Sequence, residues 1–372
     1  MKIVIIGAGA SGIVAAINYK RNHRKDDVLV IEHLEAPLKK LLATGNGKCN
    51  LANSNLDVSK YSNSNDIKNI LLEYNYEEFF KSLGLKTRNI GELVYPYSES
   101  AVTVKNVLLN EVDKLGIKIN VSEKLIDYKV ENKIQVKTDK AMYEADRLYL
   151  AASLCSSPQL GSDGSILSIL KNHNYKIENP LPGLCPIKTK EDTKILDGIR
   201  TKCEVSIVKN NRKLFDEKGE VLFKKDGLSG IVIFNASSVV AREKTKVDKI
   251  VLDLLPDISQ KEIENCCKSQ TINGFLQGFF NPKIISYLMK RFPKESELIS
   301  SIKHLEFTFK DFYGFEFSQV SVGGVQLSCV NQNLESKHEK GVYLIGELLD
   351  VDGPCGGYNL TWAFASAMLA TK

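Results

Sequence analysis

A chain of 372 residues is long enough for two or three domains and a full core without disulfide or metal staples. At 43% hydrophobic and 26% charged residues its composition is ordinary for a globular protein, which excludes a disordered, collagenous or fibrous chain. Fifty Lys and Arg against 45 Asp and Glu leave a net charge of +5 with no long basic run, so the sequence predicts no nucleic-acid partner.

Residues 2–6 form a short β-branched run, the pattern of a buried parallel strand. A secretory leader would stay apolar for about 7–15 residues, whereas this run stops at Gly7. Gly7-Ala8-Gly9-Ala10-Ser11-Gly12 follows, then an alanine-rich helix over 13–22 and a second β run over 28–31 that ends on Glu32. The unit places G-x-G-x-x-G in the first turn and an acid 20 residues after the last glycine. Gly7 makes the turn, Gly9 lets a pyrophosphate approach the backbone, and Gly12 lets the helix pack on the strand. The helix N-terminus offers N–H groups and positive dipole to phosphate, and Glu32 can accept from ribose hydroxyls. The strand–turn–helix–strand context points to dinucleotide binding.

Residues 37–53 are a Gly- and Asn-rich loop after a short basic helix. Such a segment either presents N–H groups to a polar ligand or makes a surface turn, and the pattern leaves both open. Residues 65–83 read as helix, 93–96 as strand and 101–115 as amphipathic helix. Antiparallel strands are predicted over 118–121, 125–130 and 134–138, a buried strand over 147–152, and a helix capped by Ser165 within 158–183. From 184 the texture changes. Strands are predicted over 201–208, 213–215, 221–223 and 230–235, helices over 256–301, and strands over 305–309 and 317–322. A buried strand over 342–345 and a helix over about 360–370 resume the first pattern, so the dinucleotide domain is predicted to be discontinuous. That last helical stretch, roughly 12 residues or about 18 Å, is too short for a bilayer. The expectation is a cytoplasmic protein without membrane contact. The eight cysteines form no C-x-x-C pair and the five histidines show no ligand spacing, so no metal site is predicted and the thiols are read as reduced.

Two further stretches carry a resemblance. Thr44-Gly45-Asn46-Gly47-Lys48-Cys49-Asn50-Leu51-Ala52-Asn53 is similar to an S-G-G-G-R-C-N-x-T-N signature. Gly346-Glu347-Leu348-Leu349-Asp350-Val351-Asp352-Gly353, followed by Gly356-Gly357-Tyr358-Asn359, matches the C-terminal signature of the same branch. With the first turn and Glu32, the whole chain resembles the aminoacetone oxidase-like, or YhiN-like (BaiN-type), FAD-binding flavoproteins, a family that includes proteins assigned to bile-acid dehydrogenation.

The resemblance implies FAD as cofactor and an α/β fold: a Rossmann-like FAD-binding domain of the two-dinucleotide-domain flavoprotein type, with an inserted β-barrel and a small helical domain. The FAD domain would take 1–183 and 326–372, the barrel 184–255 and 306–325, and the helical domain 256–305. Gly7, Gly9, Ala10, Ser11, Gly12 and Glu32 are then joined as cofactor-binding residues by Ala151 and Ala152. Gly45, Asn46, Gly47, Cys49 and Asn50 would lie along the pyrophosphate and flavin edge, and Gly346 and Glu347 under the ribityl and pyrophosphate. Gly356, Gly357, Tyr358 and Asn359 would face the pyrimidine end of the ring. There a glycine pair opening a helix aims N–H groups and dipole where negative charge gathers in reduced flavin.

The family strand that usually ends A-T-G-G here reads Ala151-Ala152-Ser153-Leu154. If that loop keeps a glycine path at positive φ, Ser153 and Leu154 add strain on the order of 1–2 kcal/mol and weaken FAD binding; a loop at negative φ loses nothing. The function implied is a FAD-dependent oxidoreductase moving a hydride to or from flavin N5 on a small-molecule substrate. One alternative is a flavin-bound or apo scaffold that recognises a partner; another is a flavoprotein of RNA modification, which would want a basic stripe that the sequence does not show. A single G-x-G-x-x-G supports no second nicotinamide fold, although NAD(P)H could bind transiently. Electron donor, acceptor and oligomeric state stay open. No catalytic base stands out; Lys48 and Cys355, beside the two glycine loops, are the candidates for tuning flavin or touching substrate.

Overall fold

A computed structural model describes the backbone of residues 1–372 and every side chain except that of Ser269. The chain divides into two compact units, Met1–Leu181 with Val320–Lys372, and Pro182–Gln319.

The first unit is built on β1 (Lys2–Ile6), α1 (Ala10–Asn22) and β2 (Asp27–Ile31). β1 and β2 pair in parallel, Ile3 against Val28 through Ile6 against Ile31. On the other side of β1 the strand Arg147–Leu150 pairs in parallel, and outside it the late strand Val342–Leu344. Lys118–Asn120 closes the far edge, giving five strands in all. Ile3, Val4, Ile5 and Ile6 are all buried because helices cover both faces of such a sheet. α1 packs against the C-terminal helix Tyr358–Ala370, so residues from the two ends of the sequence share one core. Three antiparallel strands, Leu125–Val130, Ile134–Thr138 and Met142–Ala145, carry the chain between two strands of the parallel sheet. The predicted helix over 65–83 is two, Ser64–Glu73 and Tyr76–Ser82, because Asn75 ends the run and caps the second through the Glu78 N–H. Ser165 stands at the N-cap of the helix Ile166–Asn172 but its side chain makes no capping hydrogen bond; the Asp163 carboxylate accepts the Ser165 N–H at 2.9 Å.

The second unit is a seven-stranded antiparallel sheet with helices. Its two edge strands, Leu305–Phe307 and Phe309–Phe312, are separated in sequence by Thr308 alone, so the sheet is rolled towards a barrel. The runs 213–215 and 221–223 lie in one strand, Arg212–Lys224, paired along its length with Arg200–Lys209. Its charged middle does not break it: Gly219 has no Cβ, and one there would stand 2.7 Å from Val232 Cβ. The strand predicted over 230–235 is overturned. Ile231–Arg242 is a helix that buries Val232, Ile233, Ala236, Ser237 and Val240 at helical spacing, entered through Gly230 at φ 107°. Four helices, Gln260–Ser269, Ile272–Phe279, Pro282–Arg291 and Glu295–Lys303, occupy the predicted helical block. Residues 320–325, expected with the barrel, run with the first unit: Val320–Val325 pairs with Ile177–Gly183, and Gly323 and Gly324 lie close against backbone of the first unit. Among the described residues no helix is long and apolar enough to cross a membrane.

Candidate functional site

A solvent-open cleft runs along the turn between β1 and α1. Gly7 holds φ 101°, and a Cβ there would sit 2.8 Å from Ala151 O. At Gly12 a Cβ would fall 1.9 Å from Gly7 O, so only glycine lets α1 start this close to the strand. Around Gly9 nothing lies within 4 Å of where a Cβ would stand, and the backbone is bare to the cleft. Ala8, Ala151, Ala152, Leu125 and Gly161 also line it. Glu32 stands in its wall, buried. One carboxylate oxygen accepts the Ala8 N–H at 2.7 Å; the other accepts the Leu34 N–H at 2.8 Å and faces His33 Nδ1 at 3.0 Å. Burial pushes the Glu32 carboxyl up, but hydrogen bonds from His33, Leu34 and Ala8 outweigh it and hold the pKa below the usual range. Glu32 raises the His33 pKa in return. A bare glycine turn, a helix N-terminus and an ionised acid at the end of β2 fit the adenosine-diphosphate half of FAD.

The two long signatures meet elsewhere in the same unit. Gly45, Asn46, Gly47 and Cys49 all have positive φ, from 54° to 83°, so the loop is wound left-handed. With its amide oriented to suit its neighbours, Asn50 donates to Ala52 O and Val94 O and accepts the Gly357 N–H at 3.0 Å. Asn53 donates to Gly356 O at 3.1 Å. Gly357 is required here, since a Cβ would lie 2.4 Å from the Ala52 carbonyl. The Tyr61 hydroxyl donates to Tyr358 O, and Asn359 ties the approach by bonding both backbone groups of Gly353. Gly346 is locked between the Ser366 hydroxyl and the Trp362 indole, and a Cβ there would strike Ser11 Oγ at 2.6 Å. The structure thus brings the glycines of 346–357 against residues of the first turn and of the 44–53 loop. Ala10 opens α1 and Ser11 is buried beside Gly346.

Lys48, a candidate for chemistry, points instead to Glu99 at 2.9 Å, with its side chain 53% exposed. That carboxylate raises its pKa. Cys49 is fully buried and its thiol is pushed up to about 11 by burial, which keeps it protonated. Cys355 is partly buried in the turn before Gly356. None of the eight cysteines is in a disulfide, and among the described residues no cluster of His, Cys, Asp or Glu is placed to hold a metal.

Strain at the departure in 151–154 is not found. Neither Ser153 nor Leu154 has positive φ. Leu154 is fully buried, and its side chain fills the space beside the Cβ-less Gly324. What sequence reasoning missed is a polar cluster beyond this loop. Lys40, on α2 (Lys39–Ala43), donates to Glu347 Oε2 at 2.6 Å and to Ser156 Oγ. Ser156 and the Ser321 N–H both donate to Glu347 Oε1, at 2.5 and 2.9 Å.

A family model described as the HI0933-like protein Rossmann domain matches residues 1–372. The chain is 35% identical over 401 aligned positions to a 3-dehydro-bile acid delta(4,6)-reductase of Clostridium scindens, with 100% of this chain and 98% of that protein covered. It is 26% identical to a ribosomal RNA dihydrouridine synthase of Haemophilus influenzae, with 98% and 96% covered. Among solved structures, a quinol fumarate reductase of E. coli shares the fold at TM-score 0.51 and 12% identity, with 100% of this chain and 69% of that one covered. The chain belongs to the HI0933-like Rossmann family of FAD-dependent oxidoreductases.

Proposed function

We propose that this protein is a FAD-dependent reductase of a carbon–carbon double bond conjugated to a carbonyl, in a small-molecule substrate. One structural observation carries the reading: the C-terminal helix opens on Gly356 and Gly357, pinned by Asn53 and Asn50. The N-terminus of a long helix stabilises negative charge placed before it. The chemistry FAD supplies when bound is hydride transfer at N5. In this reading Glu32 holds the adenosine ribose, the backbone at Gly9 and α1 hold the diphosphate, and the Gly356–Gly357 end holds the pyrimidine edge of the ring.

The choice of bond rests on the relatives. A 3-dehydro bile acid with unsaturation at positions 4 and 6 is a conjugated enone, and making dihydrouridine saturates a double bond conjugated to a ring carbonyl. Such a reduction adds hydride to a carbon at the far end of the conjugated bond, β to the carbonyl in an enone or in the uracil ring and δ in a dienone, and a proton to the neighbouring carbon nearer the carbonyl. The greater identity to the bile-acid enzyme, 35% against 26%, supports a small apolar ring substrate over RNA. NADH or NADPH, docking transiently, is the proposed electron source. A non-catalytic scaffold has nothing in its favour among these relatives.

The test is anaerobic. The full chain with FAD is reduced with NAD(P)H or light and mixed with a steroid 4-en-3-one. Return of the oxidised flavin absorbance, with a product two hydrogens heavier, is the expected result. Reoxidation by uridine-containing RNA alone would assign the RNA reaction instead. Reoxidation by oxygen alone would make the protein an oxidase.

A further inference from the structure

Lys40 lines the nucleotide cleft, two residues beyond Leu38, whose N–H donates to Ala8 O at 2.9 Å and so lays this segment along the glycine turn. Its side chain is only 23% exposed. An ammonium has three N–H bonds; two are taken by Glu347 and Ser156, and the third is left for whatever enters the cleft. The socket behind it is prebuilt. Ser156 is fully buried, and Ser321, 2% exposed, accepts the N–H groups of Cys155 and Ser156 at 3.0 Å each, fixing that loop. Glu347 Oε1 is already occupied by Ser156 and Ser321, so this carboxylate serves the lysine. The cleft's other lysines differ. Lys39 pairs with Glu35, whose side chain is 79% exposed, and Lys124 with Asp163, both about two-fifths exposed; ion pairs this open to water hold less than a buried one.

We propose that Lys40 binds the diphosphate of the dinucleotide as its one fixed cationic contact, and that Glu347, Ser156 and Ser321 are positioning residues that hold its ammonium. This rests on the dinucleotide reading of the cleft and is independent of which substrate is reduced.

The test strips FAD from the full chain and titrates three probes: FAD, ADP, which keeps the diphosphate, and adenosine, which lacks it. K40M should weaken FAD and ADP by roughly ten- to hundredfold and leave adenosine unchanged, while K40R retains most of the ADP affinity. The salt dependence of ADP binding should become shallower in K40M. S156A should weaken ADP binding in the wild-type background and add nothing in K40M. Equal losses for ADP and adenosine in K40M would make Lys40 merely structural and overturn the proposal. So would unchanged ADP affinity, or additive effects of S156A and K40M. Should K40M fail to fold, K40Q carries the same comparison. Failure of the wild-type chain to bind any of the three probes would instead reject the dinucleotide reading of the cleft, and the proposal with it.

Discussion

Glu32 has two tasks that a substitution can separate. It receives the Ala8 and Leu34 N–H groups, which shapes the glycine turn, and it offers its remaining acceptor sites to the cleft. Glu32→Gln keeps an oxygen for the turn but loses the charge. FAD affinity is expected to fall roughly ten- to hundredfold, the loss of about 1.5–3 kcal/mol of charge-assisted hydrogen bonding, with a partial loss of thermal stability because only one of the two backbone N–H groups keeps an oxygen acceptor. Glu32→Ala should lower both further. Fluorescence titration and melting curves distinguish the two, and wild-type affinity in Glu32→Gln would remove the acid from the ribose. Leu154 follows the second of the two sequence alternatives, a loop without positive φ. Because it is a buried packing residue at ordinary φ, Leu154→Ala should cost about 2–5 kcal/mol of unfolding free energy and give no gain in FAD affinity. Tighter FAD binding in that variant would restore the strain argument. The shape of the turn that the glycines and Glu32 make was legible because its requirements are local. Lys40 was not: its partner Glu347 lies 307 residues away, and only the folded sheet brings them together.

Among the elements, the end of the helix Ile166–Asn172 is fastened to the strand Leu125–Val130 and to the 334–341 loop by one imidazole. His173 Nδ1 faces Glu339 at 2.6 Å and Nε2 faces Asp127 at 3.0 Å, so each ring nitrogen meets a carboxylate, an arrangement that favours the imidazolium form. Tyr128 stacks on it at 3.9 Å, Tyr128 and Tyr175 donate to Glu339, and His338 Nε2 meets the His173 carbonyl. Burial alone would lower the His173 pKa, but Asp127 and Glu339 outweigh it and raise it. A raised folded pKa means that the extra stability is complete below the ordinary imidazole value of about 6.5. It is lost as pH rises through the higher folded value. The urea midpoint of the wild type should exceed that of His173→Gln at low pH and converge on it as pH rises; a gap independent of pH would count against the charged ring. Element type was legible where spacing was unambiguous, as in the parallel strands. It failed at 231–242, where β-branched residues imitate a strand although their burial repeats at helical spacing. It also failed at 212–224, where charges imitate turns but stand on the open positions of one long strand.

At the scale of the whole molecule, every residue lining the cleft belongs to the first unit. The strands Ile177–Gly183 and Val320–Val325, where the chain leaves and re-enters that unit, are paired, so a short linker can replace what lies between. A chain with 182–319 replaced by a glycine–serine linker is expected to keep FAD and lose turnover, checked by the visible spectrum and by the enone assay. Loss of flavin from a folded variant would show that the second unit helps to hold it. The discontinuous domain was legible from the return of the buried-strand pattern near 342, but its seam was not. Val320–Val325 carries a strand pattern that suits either unit, and only its pairing with Ile177–Gly183 decides.

The sheet order has a consequence for biosynthesis. The strand Arg147–Leu150 pairs with β1 on one side and with Val342–Leu344 on the other. A ribosome adding about 5–20 residues per second needs roughly ten to forty seconds to travel from Arg147–Leu150 to Val342–Leu344. Throughout that interval the nascent sheet presents a naked edge, open to pairing with other chains. The second unit, which is continuous in sequence, can fold meanwhile. Cofactor loading therefore comes last, and fragments ending between the two strands should be prime clients for chaperones.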